Sequence, residues 1–377
     1  MTFLPFEKMW DQIEIARDDN DMSLFMNLTY MAEMLTKTVV GGLTAAIDDD
    51  RSRNRYSVIY KLVRADGLGD WISALDEILT GTSAQFLSFD ILNCSKELTE
   101  KVGKGSWQYD AYDFLAKCLT TVDCLNEPIP TKIDGRKWFI GFVTLRNKTR
   151  AHGAPQGGKC ALLCENLEKS IRMIIDNFSL FKLPWAYLHR NYSGKYRVSK
   201  ITTDITPFEF LKKSNSTNLP NLEDGVYVYL GANKLVELIH SDPDLFDFYY
   251  PNGQFTPKKY ELISYITDNK LEGDSSKYLF PASELPASET QGKDSLDVLG
   301  QSFSNLPQSQ ENYIPRLGLE EELKNALFDD NHPMITLRGR GGIGKTWLTL
   351  HVLHDISKSA KFISIIWFSA RDIDLLS

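Results

Sequence analysis

The sequence predicts a multidomain chain: an all-α helical bundle, then a small antiparallel β module, then the start of an α/β fold. Three observations predict it. Apolar residues recur at helical spacing from residue 4 to about 180. Near 195 the pattern shifts to short runs rich in Val, Ile, Tyr and Phe. Toward the end, RGRGGIGKT at 338–346 stands between a strand-like and a helix-like stretch.

The helical spacing gives candidate helices over 4–18, 21–47, 55–65, 69–80, 110–122, 136–151 and 160–180. In the last of these, Leu163, Leu167, Ile171, Ile174, Ile175 and Phe178 form one apolar stripe. Gly and Pro clusters separate the helices: GLG at 67–69, EPIP at 127–130 and HGAPQGG at 152–158. The β module is read from KYRVSKITT, GVYVYLG, KLVELIH, LFDFYY and KYELISYIT, with a tight turn expected at Pro251-Asn252-Gly253. Its aromatic residues read as core rather than as a ligand platform. From 271 to 311 periodicity fades and Ser, Pro, Gln, Gly and Asp dominate, which reads as a flexible linker. A helix, GLEEELKNALF, follows Tyr313-Ile314-Pro315-Arg316.

With 377 residues, 42% of them hydrophobic and 24% charged, the chain can bury the cores of two or three domains. No apolar run approaches the roughly 20 residues of a membrane helix. The N-terminus lacks the pattern of a signal peptide, so a cytoplasmic protein with no membrane partner is expected. The five cysteines, Cys94, Cys118, Cys124, Cys160 and Cys164, include no CxxC pair and read as small buried apolar residues. Net charge is −8, yet 136–200 carries thirteen Lys/Arg against Glu165, Glu168 and Asp176, a local +10 that leaves −18 elsewhere. Phosphate, and RNA in particular, is one counterpart for such a segment; pairing with the acidic remainder is the other.

The most specific signal is Gly339-Arg340-Gly341-Gly342-Ile343-Gly344-Lys345-Thr346, which fits GxxxxGK[ST]. Pro333–Leu337 reads as a strand before it. Trp347, Leu348, Leu350, Val352, Leu353 and Ile356 give a helix after it, and FISIIWFSA a second strand. The third fold element is therefore the start of an α/β P-loop NTPase fold. Glycines let successive N–H groups face one anion, and the helix N-terminus adds positive dipole. Gly339, Gly341, Gly342, Ile343 and Gly344 would cradle the phosphates of ATP, Lys345 would reach the outer ones, and Thr346 would hold Mg²⁺. No later apolar strand ending in Asp follows. The expectation is the front part of a longer protein that alone binds ATP weakly and hydrolyses it poorly.

PRLGLEEELKNAL, MITLRGRGGIGKTWLTL and IIWFSARD resemble the start of the nucleotide-binding domain of bacterial STAND ATPases, the NB-ARC and NACHT-like signalling class. The resemblance covers about 312–377. It implies an ATP-driven switch with an N-terminal effector, often in defence against phage. An effector would lie in the helical region, where TLRNKTRAHGAP at 144–155 places Arg146, Asn147 and His152. An Arg, an adjacent polar residue and a His after five intervening residues resemble the signature of HEPN domains, many of which are metal-independent ribonucleases and which usually dimerise through this region.

The chemistry is coherent for RNA. His152 suits proton transfer near neutral pH, Arg146 suits bidentate phosphate binding, and Asn147 would orient either. On an ideal helix six residues turn about 600°, so Arg146 and His152 point about 120° apart unless the helix ends there or two subunits share a site. Gly153 and Pro155 fit a helix end. Two alternatives stand beside it: phosphate binding without catalysis, and a structural role in which Arg146 pairs with a carboxylate from another helix and Gly153 is an ordinary cap. The other histidines show no metal-ligating spacing.

The expected organisation is a helical HEPN-like effector domain at 1–190, a β-rich module at 195–270, the linker at 271–311 and the nucleotide domain at 312–377. Two functions follow, beside a third reading as a regulatory ATPase outside defence. One is a nucleotide-gated defence ribonuclease acting as a homo-oligomer. The other is a non-enzymatic nucleotide-dependent switch whose helices bind partners or assemble.

Overall fold

The computed structural model describes residues 3–48, 53–125, 127–151, 157–191, 195–213, 222–282, 292–293, 295–307, 313–331, 333–339 and 343–368. A helical region is followed by antiparallel sheets. The chain divides into two compact units, the first made of Met1–His189, Arg197–Phe210 and Asp224–Ala282, the second of Arg190–Tyr196, Leu211–Glu223 and Ser283–Ser377.

In the first unit, α1 (Leu4–Asp19), α2 (Asp21–Ala45), α3 (Asn54–Leu62), α4 (Leu68–Thr80), α5 (Leu92–Thr99), α6 (Trp107–Thr121), α7 (Arg136–Ala151) and α8 (Gly157–Asn177) form the bundle. Seven of these match the expected helices; α5 has no legible helical repeat, because its eight residues carry only Cys94 and Leu98 into the core. The axis of the bundle is α2. Asn20 caps its start by accepting from the Ser23 N–H at 2.9 Å. Nearly every residue from Leu24 to Ala45 is buried, as expected of a helix enclosed on all sides. Its buried Thr29, Thr36, Thr38 and Thr44 each donate to the carbonyl four residues back, at 2.7–2.9 Å, so their hydroxyls cost little there.

Two antiparallel sheets complete this unit. In the first, β1 (Trp185–Arg190), β2 (Tyr196–Lys200), β3 (Gly225–Tyr229) and β4 (Asn233–Leu235) lie in the order β2-β1-β3-β4, with Trp185 opposite Val228. The second is a meander of β5 (His240–Ser241), β6 (Phe248–Pro251), β7 (Lys259–Ser264) and β8 (Lys270–Asp274). Along β7, Tyr260, Leu262 and Ser264 alternate inward, the period of a half-buried strand. The reversal expected at Pro251-Asn252-Gly253 falls later. Ladder bonds continue through Asn252 and Gly253 to Glu261, and the chain turns between Thr256 and Lys259, closed by a 2.8 Å bond.

One hydrophobic core runs through helices and sheets alike, from Leu28 and Leu35 to Tyr250, Leu262 and Tyr265. The boundary expected near 190–195 is therefore not a domain boundary: each sheet buries one face on the helices because neither can be stable alone. The aromatic residues Tyr227, Phe248, Tyr250, Tyr260 and Tyr265 are indeed buried core. Cys94, Cys118, Cys160 and Cys164 are also buried, and burial pushes the thiols of Cys94, Cys118 and Cys164 up to about 12.

The stretch 271–311 is not one linker. Its start belongs to the first unit through β8 and the buried Tyr278. In the second unit it supplies β9 (Asp297–Leu299) and β10 (Ser302–Ser304), a hairpin turned at Gly300 with φ +59°. β10 pairs in parallel with β11 (Ser364–Ile365). A short helix α9 (Glu209–Lys213) lies between β2 and β3, and α10 (Leu317–Phe328) and α11 (Lys345–Ile356) belong to the second unit. The strand expected at 333–337 is absent: 333–339 has no regular structure, and Met334 is 85% exposed. A parallel strand needs partners on its edges, and no described residue pairs with this one.

Candidate functional site

Two places carry the chemistry expected from the sequence. The first is on α7. Trp138, Phe139, Phe142, Leu145 and Thr149 turn inward at helical spacing and fix this helix. The Trp138 indole N–H donates to Ser170 Oγ at 2.6 Å, which pins α7 to α8. Arg146, one step around from Leu145, is half-buried. Its Nε donates to Glu33 Oε1 on α2 at 3.1 Å, and the Glu33 side chain is only 4% exposed. The other Glu33 oxygen accepts from the Tyr265 hydroxyl at 3.2 Å. Arg146 Nη1 approaches Asn147 Oδ1 at 3.4 Å, while Asn147 and Lys148 are exposed.

One turn beyond Glu33, the buried Lys37 donates to the Pro251 carbonyl at 2.7 Å. Its ammonium lies 5.0 Å from the Trp71 ring and 5.2 Å from that of Tyr265. Thr38 shares a 3.0 Å hydrogen bond with the Tyr250 hydroxyl. A buried polar cluster thus backs Arg146. The sequence reading missed Glu33, Lys37 and Tyr265. The available signal was two opposite charges, four residues apart, inside the otherwise apolar run MAEMLTKTVVGG; buried charges of this kind are almost always paired. His152 lies outside the described residues, so its approach to Arg146 is not placed.

Several cations of the basic 136–200 segment are occupied locally. Arg136 pairs with Asp76 at 2.6 Å, Arg172 with Glu168 at 2.9 Å and Lys169 with Glu165 at 2.6 Å. Lys137 lies 5.2 Å from the Tyr112 ring. Part of the local positive charge is therefore spent on neighbouring carboxylates and rings.

The second place is the glycine-rich loop. Gly344, at φ +84°, is the N-cap of α11, a left-handed conformation that glycine adopts without strain. Lys345 and Thr346 are then the first two residues of the helix, where backbone N–H groups lack helical partners. Lys345 Nζ bends back to the Gly339 carbonyl at 2.9 Å, and Thr346 is exposed. Gly341 and Gly342 lie outside the described residues, whereas Gly339 and Ile343 are exposed loop. A Cβ built on Gly344 would lie 3.3 Å from an Arg316 guanidinium nitrogen, so a second cation adjoins the loop. Arg316 is held in turn: its N–H donates to Glu320 at 2.6 Å, Tyr313 donates to the same carboxylate at 2.9 Å, and Tyr313 stacks on His351 with ring centres 4.3 Å apart. A helix N-terminus, a left-handed glycine and adjacent Lys and Arg fit a polyphosphate anion, and the exposed Thr346 hydroxyl fits its Mg²⁺.

No described helix is long and apolar enough to cross a membrane. Comparison with protein-family models, curated proteins and solved structures returns no match for this chain.

Proposed function

We propose that this chain is a nucleotide-dependent signalling protein of the STAND type, acting in anti-phage defence, whose helical region is a HEPN-like metal-independent ribonuclease. The observation that carries the nucleotide half is the seating of Gly344, Lys345 and Thr346 at the start of α11. ATP would be held by the loop, Lys345 and Thr346, with Mg²⁺ neutralising phosphate charge. The P-loop NTPase fold itself belongs to this proposal.

For the ribonuclease half, Arg146 is the phosphate-binding cation, oriented by Glu33. His152 exchanges the proton of the attacking 2′-hydroxyl or of the leaving oxygen. Two copies would complete the site if Arg146 of one meets His152 of the other. The test is RNA cleavage by the full chain at high concentration with EDTA, wild type beside His152→Ala. Cleavage by the wild type alone is expected. Equal cleavage, or none by either, overturns the ribonuclease assignment.

A second reading is favoured by one observation. Arg146 already has a buried carboxylate, as a purely structural arginine would. Under it the protein is a non-enzymatic switch whose helices bind partners or assemble, and His152→Ala leaves its behaviour unchanged.

A further inference from the structure

The Arg146 site does not end at the helices. Three polar residues on α2, Glu33, Lys37 and Thr38, are each held by the meander β5–β8 or by its adjoining residue. Tyr265, just after β7, bonds Glu33; the Pro251 carbonyl of β6 bonds Lys37; Tyr250 of β6 bonds Thr38. A sheet serving only to cover the bundle would do so with apolar contacts. Here it meets a buried carboxylate and a buried ammonium, groups that are costly to desolvate and must be individually satisfied.

The Glu33 carboxylate divides its oxygens: Oε1 takes Nε of Arg146 and Oε2 takes the hydroxyl of Tyr265. A carboxylate with both oxygens available prefers the two-pronged contact with a guanidinium. The Tyr265 hydroxyl on Oε2 fixes the carboxylate in the orientation that meets Arg146 through Nε. We propose that Tyr265 is a positioning residue of this site: it sets how Glu33 holds Arg146 and so leaves guanidinium nitrogens for a phosphodiester. The sheet is then a working part of the effector, and residues 1–190 alone lack it. This rests on the ribonuclease reading for its substrate, though not for its geometry.

The experiment compares full-length wild type, Tyr265→Phe and Glu33→Gln. Tyr265→Phe keeps the ring and removes only the hydroxyl. One readout is phenylglyoxal modification of Arg146, followed by mass spectrometry and normalised to Arg172. The other is RNA cleavage over a range of RNA concentrations. In Tyr265→Phe, Glu33 closes on Arg146 with both oxygens, so Arg146 labelling falls about threefold to tenfold, the scale of one net hydrogen bond. KM for RNA rises by a similar factor. In Glu33→Gln the guanidinium is released and its labelling rises. Arg146 labelling unchanged in Tyr265→Phe overturns the proposal, as does unchanged labelling in Glu33→Gln should the first variant fail to fold. If the wild type does not cleave RNA, the ribonuclease reading fails while the labelling still decides the role of Tyr265.

Discussion

Arg146 and Lys345 are the two cations assigned to phosphate, and their surroundings differ. Arg146 leans on a carboxylate that is 4% exposed and that is itself tied to Tyr265 in the turn after β7. Lys345 reaches back to a carbonyl of its own exposed loop. Behind Arg146 lies one continuous core drawn from helices and two sheets. Behind Lys345 lie two small clusters, Leu323, Leu348, Val352 and Ile356 in one and Leu306, Leu350 and Ile365 in the other. Orientation at the first site is imposed by a buried carboxylate and the core behind it. At the second it is local, set by one glycine and the helix start, and a bound polyphosphate would supply the rest of the order.

The sharpest way to break this contrast is to remove the carboxylate. Glu33→Ala leaves the Arg146 guanidinium and the Tyr265 hydroxyl without their partner in a buried setting, at a cost of about 3–5 kcal/mol. Urea unfolding of the full chain, followed by tryptophan fluorescence, should show the first unit losing that much. A loss below about 1 kcal/mol would mean that water already reaches the pair and that packing does not hold Arg146.

That dependence explains which parts were legible in the sequence. Seven helices could be read because each carries its own repeat of buried residues, such as Trp138, Phe142, Leu145 and Thr149 on α7. The helix after GxxxxGKT could be read in the same way, from Leu348, Leu350, Val352 and Ile356. The backing of Arg146 could not: Glu33 lies 113 residues away and Tyr265 lies 232 from Glu33, and no local spacing encodes such a meeting. The β9–β10 hairpin was hidden for another reason. Three-residue strands rich in serine, like Ser302-Phe303-Ser304, have almost no period of their own and are ordered by their neighbours, here Ile363 and Ser364.

A smaller effect distinguishes the units by pH. His240 on β5 is half-buried, 3.4 Å from the Tyr260 hydroxyl, and burial lowers its pKa from the ordinary 6.5 to about 4. The unfolded chain takes a proton near 6.5 that the folded chain refuses until about 4. This contribution to stability is full above 6.5, falls by about 3 kcal/mol through that window and is gone below about 4. In the second unit His354, which contacts the Pro307 carbonyl at 2.7 Å, is also lowered by burial, so acid acts there in the same direction. His240→Gln should flatten the loss of the first unit between pH 7 and 4.5 in urea midpoints and leave that of the second unchanged. An unaltered slope would remove His240 as its source.

Lys345→Ala is expected to cost least and to say most about the loop. Among its contacts its ammonium bonds a carbonyl on an exposed loop, where charged contacts are worth about 1 kcal/mol or less, so the unfolding midpoint without ligand should move little. ATP with Mg²⁺ stabilises whatever state binds it, by an amount that grows with ligand concentration over Kd. The wild type should therefore gain several degrees in melting temperature as MgATP is raised, and Lys345→Ala should gain none. A variant that melts lower without ligand would show that the loop is held by more than its own chain, and the contrast with Arg146 would shrink. Equal gains in both proteins would place the nucleotide elsewhere, since a cation at the head of α11 cannot be indifferent to a polyphosphate bound there.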